Sequence, residues 1–186
     1  MIDWPRLVRE EGPHVWQVAC RLLGNHADAA DCVQETFTQA LKISRRETVT
    51  SWAGLLRRLA TVQALHRLRG RYRENARTEV LPSDCPAPSA EPGPAERAEA
   101  SELAQHLRIA LTMLSQQEAS VFCLRCLEDL TYQEIAERLQ IEVNAVGVTL
   151  HRARTRLSEL LAAFVWKNAE EPINGSTRKE ANEVGR

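Results

Sequence analysis

Apolar residues recur at helical spacing through most of the chain. Val15, Val18, Ala19 and Leu22 form a first stripe within Leu7 to Leu23, which Gly12-Pro13 is expected to interrupt and Gly24-Asn25 to end. The next helix sets Ala30, Val33, Phe37, Ala40 and Leu41 on one face, against Asp28, Asp31, Gln34 and Glu35 on the other. Ile43 to Ser51 is polar and aperiodic, hence a loop, and Trp52 to Arg69 resumes with Trp52, Leu55, Leu56, Leu59 and Val62. Leu103, Leu107, Ala110, Leu111 and Leu114 stripe a later helix. Ser115 and Glu118 form a capping box that opens another, carrying Ala119, Phe122, Cys123, Cys126, Leu127 and Leu130. No segment alternates as a strand does, so the fold class is all-α.

The most informative stretch runs from Thr131 to Leu157. Thr131 and Glu134 make a second capping box, followed by the stripe Tyr132, Ile135, Ala136 and Leu139. Gln140 to Val143 break the pattern, and Asn144 is a suitable N-cap for the helix that follows. On that helix Val146, Leu150, Ala153 and Leu157 share one face, and Val148, His151, Arg152 and Thr155 the opposite one. Arg154 and Arg156 lie at the edges, and no acidic residue falls between Ala145 and Leu157. A short capped helix, a tight turn and a basic second helix suggest a DNA-binding helix-turn-helix. Asn144, Ala145, Val148, Thr149, His151, Arg152, Arg154 and Arg156 are its candidate contacts. The same arrangement also occurs in proteins that never touch DNA.

The net charge of −1 does not favour nucleic acid by itself, so a binding site requires local clustering. Such clustering is present: Arg45, Arg46, Arg57, Arg58, Arg67, Arg69, Arg71 and Arg73 are opposed only by Glu47 across residues 45–73. A helix C-terminus complemented by cations explains the last turn alone, whereas a phosphate footprint explains the whole run. Pro82, Pro86, Pro88, Pro92 and Pro94 mark an extended tether. The organisation expected is an N-terminal helical domain at 1–75, a flexible Pro-rich linker at 76–97, a C-terminal helix-turn-helix domain at 98–167 and a polar, disordered tail at 168–186.

Cys123-x-x-Cys126 invites a zinc reading, but both residues lie on an apolar stripe with no second ligand pair nearby, which favours buried thiols. His14, His26, His66, His106 and His151 are scattered, and there is no Gly-rich phosphate loop, so neither an enzyme nor a cofactor or metal site is expected. Five cysteines without scaffold spacing, no long apolar run and no signal peptide predict a cytoplasmic protein without membrane insertion.

Three motifs in order then resemble one family. Asp28-Ala-Ala-Asp-Cys-Val-Gln-Glu-Thr-Phe37 is similar to a signature of bacterial extracytoplasmic-function (ECF) sigma factors. Leu59-Ala60, Ala64-Leu65 and Arg67-Leu-Arg69 resemble the family's promoter-melting helix. Leu130-Thr-Tyr-Gln-Glu-Ile-Ala-Glu-Arg-Leu139 with Leu150-His-Arg-Ala-Arg154 resembles its C-terminal helix-turn-helix, so the likeness spans residues 7–165. The resemblance implies a non-catalytic factor that binds core RNA polymerase, directs it to promoter DNA and helps open it. Asp28, Asp31, Gln34 and Glu35 would dock on the polymerase. Arg45, Arg46, Trp52, Arg57, Arg58, Arg67, Arg69 and Arg71 would hold the melting upstream element, and the last helix would read the distal element. An anti-sigma factor is a further partner that the resemblance suggests.

The chain departs from the family pattern at Val62 and His66, where Asn and Asp are usual, and at Gln140, where Gly is usual. Gly147 and Val148 also replace polar residues of the recognition helix. The alternative is a stand-alone helix-turn-helix regulator whose N-terminal domain dimerises or senses.

Overall fold

A computed structural model describes residues 2–46, 48–75 and 94–169. Seven helices make up the described chain, with no strand among these residues: α1 (Trp4–Leu23), α2 (His26–Ser44), α3 (Trp52–Asn75), α4 (Pro94–Met113), α5 (Gln116–Cys126), α6 (Tyr132–Leu139) and α7 (Val143–Ala169). The tether at 76–93 and the tail from 170 lie outside the described residues. Residues 94–97, assigned to the tether from sequence, belong to α4.

Helix α1 starts earlier than its stripe suggested, because Asp3 caps it by accepting from Arg6 N at 3.0 Å. It also runs unbroken through Gly12-Pro13. Pro13 removes the donor to the carbonyl of Arg9, four positions earlier, and both residues lie on the exposed side of the helix. Gly24 ends the helix at φ 72°, donating to Cys20 O at 2.9 Å.

Helix α2 is rotated relative to the expected stripe. Ala29, Cys32, Thr36 and Ala40 are buried, Val33 and Phe37 half-buried, and Ala30 and Leu41 exposed. The polar side chains on the buried face find partners there: Thr36 Oγ1 donates to Cys32 O of the same helix at 2.7 Å, and the Cys32 thiol reaches Ala60 O of α3. Burial pushes the Cys32 thiol up to about 11, so it stays protonated at neutral pH. The helix extends to Ser44, which shortens the expected loop by two residues, Ile43 and Ser44.

Helix α3 is central. Leu56, Leu59, Ala60, Thr61, Gln63, Ala64, Leu65 and Leu68 are buried around much of its circumference, and it packs on α1, α2, α4, α5 and α6. At its start Trp52 meets Trp4 edge-on with centroids 5.3 Å apart.

Two apolar clusters organise the molecule. One lies within the C-terminal half: Val121, Leu124, Leu130, Ile135, Ala136, Val146 and Leu150 join α5, α6 and α7. The other crosses between halves, where Leu65 and Leu68 share a cluster with Ala110, Leu111, Leu114, Ala119, Cys123, Ala153 and Leu157. The two expected helical modules are therefore both present and are packed against each other.

Candidate nucleic-acid interface

Both capping boxes form. Glu118 N donates to Ser115 Oγ at 3.2 Å and Ser115 N to Glu118 Oε2 at 2.9 Å. Glu134 N donates to Thr131 Oγ1 at 3.2 Å, and Thr131 N to Glu134 Oε2 at 2.8 Å. Between α6 and α7 the chain turns at Gln140, in left-handed conformation with φ 55°. Helix α7 begins at Val143, and Val146 N bonds Glu142 O at 3.2 Å. Asn144 therefore lies inside the first turn, a correction to its assignment as the N-cap. Its side chain is left free to point outward on the helix surface.

The wheel of α7 matches the expectation. Val146, Leu150, Ala153 and Leu157 are buried, while Asn144, Val148, His151, Arg152, Arg154, Thr155 and Arg156 are exposed. Ala145 and Thr149 are half-buried at the margins. Arg156 is partly drawn back toward Glu118 at 3.6 Å, and Arg154 lies 3.9 Å from the thiol of Cys126. The outer face of the second helix is thus open and basic. Tyr132, expected in the buried stripe of α6, is instead 40% exposed and lies over Gly147, where an added Cβ would be 3.6 Å from its ring.

The melting-helix arginines are differently placed. Arg45 and Arg46 are exposed in the connection after α2. Arg67 pairs with Asp31 at 3.4 Å and Glu35 at 3.2 Å, and Arg71 with Asp28 at 3.0 Å. Three of the four expected docking residues are therefore charge-compensated by α3, and Gln34 stands exposed beside them. Arg58 Nη1 donates to Arg138 O at 3.1 Å, and Arg69 Nη2 to Leu114 O at 3.0 Å. Arg57 is half-buried, with an Nε that meets no hydrogen-bond partner. Trp52, expected at DNA, is half-buried against Trp4.

The contacts of Arg58 and Arg69 belong to a set that sequence reasoning missed. Arg21 Nη1 donates to Leu127 O at 3.0 Å, and Arg108 Nε to Arg21 O at 3.2 Å. In all four bonds an arginine of one half meets a carbonyl at or just past the end of a helix in the other: α6, α4, α5 and α1. Helix ends leave their last carbonyls without partners and carry partial negative charge, so a guanidinium is suited to both needs. Burial, then the neighbouring Arg73, pulls the Arg69 guanidinium down from its ordinary value, though not enough to discharge it. Glycines admit one of these donors and one acceptor residue closely: a Cβ on Gly24 would sit 2.7 Å from Cζ of the donor Arg108, and one on Gly54 2.8 Å from Nε of Arg138, whose carbonyl accepts from Arg58. No spacing rule announces such pairings.

Cys123 is buried and its thiol is pushed up by that burial, whereas Cys126, expected on the same buried stripe, is exposed. Among the described residues no group of three or more His, Cys, Asp or Glu could hold a metal, and no helix is long and apolar enough to cross a membrane.

The family model "Sigma-70 region 2" matches residues 7–74, which takes in all of α2 and most of α1 and α3, and "Sigma-70, region 4" matches residues 105–157, which includes the helix-turn-helix. RNA polymerase sigma-E factor of Streptomyces coelicolor is 30% identical over 166 residues, 88% of each chain. The chain belongs to the ECF family of RNA polymerase sigma factors. ECF RNA polymerase sigma factor SigE of Mycolicibacterium smegmatis is 33% identical over 171 residues, covering 91% of this chain and 66% of that protein. A solved structure of the sigma factor RpoE in complex with the anti-sigma factor NepR, from Bartonella quintana, matches with TM-score 0.54 at 23% identity, over 86% of this chain and 97% of that one. That likeness concerns the fold. Sigma factors are transcription initiation factors, which favours this reading of the helix-turn-helix over the stand-alone regulator.

Proposed function

We propose that this sigma factor binds core RNA polymerase through the exposed part of α2, places α7 in the major groove of the distal promoter element, and uses the arginines around α3 on the upstream element as it melts. The observation that carries the reading is the open outer face of α7 between Ala145 and Leu157, basic and without an acidic residue in that span, held out by the buried stripe Val146, Leu150, Ala153 and Leu157. No bond chemistry is involved. Phosphate contacts from Arg152, Arg154 and Arg156 orient the helix, and residues nearer its start meet base edges.

The reading divides the candidate residues by availability. Arg45, Arg46, Arg152 and Arg154 can meet phosphates as they stand. Arg58 and Arg69 must first release carbonyls of the C-terminal half, and Arg67 and Arg71 must release α2. Binding to polymerase and DNA therefore accompanies separation of the halves, with residues 76–93 as the connection that remains. An anti-sigma factor, as in the Bartonella complex, is a partner suited to hold such a chain inactive. The protein acts in the cytoplasm, where polymerase and chromosome are.

Run-off transcription with purified core polymerase tests this. Promoter-specific transcripts that require the chain support it. Tight duplex binding without stimulated transcription would instead support the stand-alone regulator.

A further inference from the structure

Two adjacent residues of α7, Gly147 and Val148, belong to neither apolar cluster of the fold. Val148 is 52% exposed and packs in neither apolar cluster. A β-branched residue on an open helix surface is also a weaker helix former than alanine or leucine. Gly147 beside it is likewise costly inside a helix, and sterics do not demand it, because a Cβ there would meet only the Tyr132 ring at an ordinary 3.6 Å. Both lie in the first two turns of the helix, on or next to the face that carries Asn144, His151, Arg152 and Thr155. The start of a recognition helix is where side chains reach base edges.

We propose that Val148 is a specificity-determining residue that seats against the C5-methyl group of a thymine in the distal promoter element. Gly147 lets the helix approach closely enough for that contact. This rests on the sigma-factor reading of the same helix. Valine offers no hydrogen bond, so among the base edges of the major groove its complement is the one apolar group there, the thymine methyl. Asn144, one turn earlier on the same face, has the donor and acceptor for an adenine edge, so this part of the helix is suited to A·T pairs. An added methyl at Gly147 would hold the helix away from the strand while improving its helical propensity.

Holoenzyme reconstituted from the full chain and core RNA polymerase is used to select duplexes from a library randomised over the distal element. Each thymine of the selected duplex is then replaced singly by deoxyuridine, which lacks only the methyl group. At one position deoxyuridine is expected to weaken wild-type binding by about fourfold, the effect of one methyl removed from contact. Val148→Ala holoenzyme is expected to bind the thymine and deoxyuridine duplexes alike. Gly147→Ala is expected to raise the melting temperature of the free chain by about 2–4 °C while lowering promoter affinity. The proposal is overturned if no deoxyuridine substitution matters, or if the penalty persists undiminished with Val148→Ala. A Gly147→Ala holoenzyme with unchanged affinity overturns the close approach. Failure to enrich any sequence overturns the underlying sigma-factor reading instead, and is a distinct result.

Discussion

Arg58 in the second turn of α3 donates at 3.1 Å to the carbonyl of Arg138, one residue before the end of α6. A helix of the N-terminal half thereby completes the end of a helix in the C-terminal half. An arginine on a backbone carbonyl contributes about 1–2 kcal/mol, and truncation leaves the carbonyl without that donor. Arg58→Ala is expected to destabilise the free chain by roughly that amount. It should also speed amide hydrogen exchange at the end of α6. Unchanged exchange there would show that the two halves do not meet through this bond in solution.

Docking on polymerase is best tested at Gln34. Glu35 is a poor target, because lysine in its place would face Arg67, now 3.2 Å from the carboxylate, and would disturb α2 against α3. Gln34→Lys leaves those ion pairs intact and is expected to abolish co-purification with core polymerase while the melting temperature stays within a degree or two. Retained co-purification would move the docking surface elsewhere.

Arg152 is exposed on the outer face of α7. Its replacement by alanine is expected to weaken promoter binding by holoenzyme and to reduce the slope of log affinity against log salt by roughly one unit. An identical slope would take this arginine off the phosphates.

Gln140 holds φ 55° at the end of α6. A side chain in this left-handed region costs about 1–2 kcal/mol, part of which glycine returns as lost chain freedom. Gln140→Gly is therefore expected to stabilise the chain by about 0.5–1 kcal/mol in chemical denaturation, without altering promoter choice. A loss of stability would mean that Gln140 makes a compensating contact.

Glu118 shows how the capping boxes respond to acid. Its carboxyl is held below the ordinary glutamate range by the Ser115 backbone N–H, then by the Ser115 hydroxyl, with Arg156 and Arg152 adding to this. A lowered folded-state value means the contribution is present above the unfolded value of about 4.3 and is lost as pH falls through the folded one. Glu118→Gln is expected to flatten the melting-temperature profile below about pH 5. A profile as steep as the wild type's would assign the acid sensitivity to other carboxylates.

Much of the site was legible without coordinates. The buried and exposed faces of α7 follow from spacing that a helix repeats every 3.6 residues, and the caps at Ser115 and Thr131 from side chains that bond backbone three positions on. Such terms act within a turn or two of chain, so a linear pattern contains them. Asn144 was misplaced because cap preference alone cannot separate a cap from a first-turn position two residues later.

By itself, then, the sequence determined the all-α class, the helix-turn-helix with its basic outer face, and the family signatures at Asp28 to Phe37 and Leu130 to Leu139. Only the tertiary structure decided where the α3 arginines go, which face of α2 is buried, and that the halves share one apolar cluster. The reason is range. An arginine reads identically in sequence whether it faces a phosphate, a carboxylate 36 residues away as Arg67 does, or a helix-end carbonyl 80 residues away as Arg58 does. The choice among these partners depends on which helices pack together, and that is a property of the whole fold.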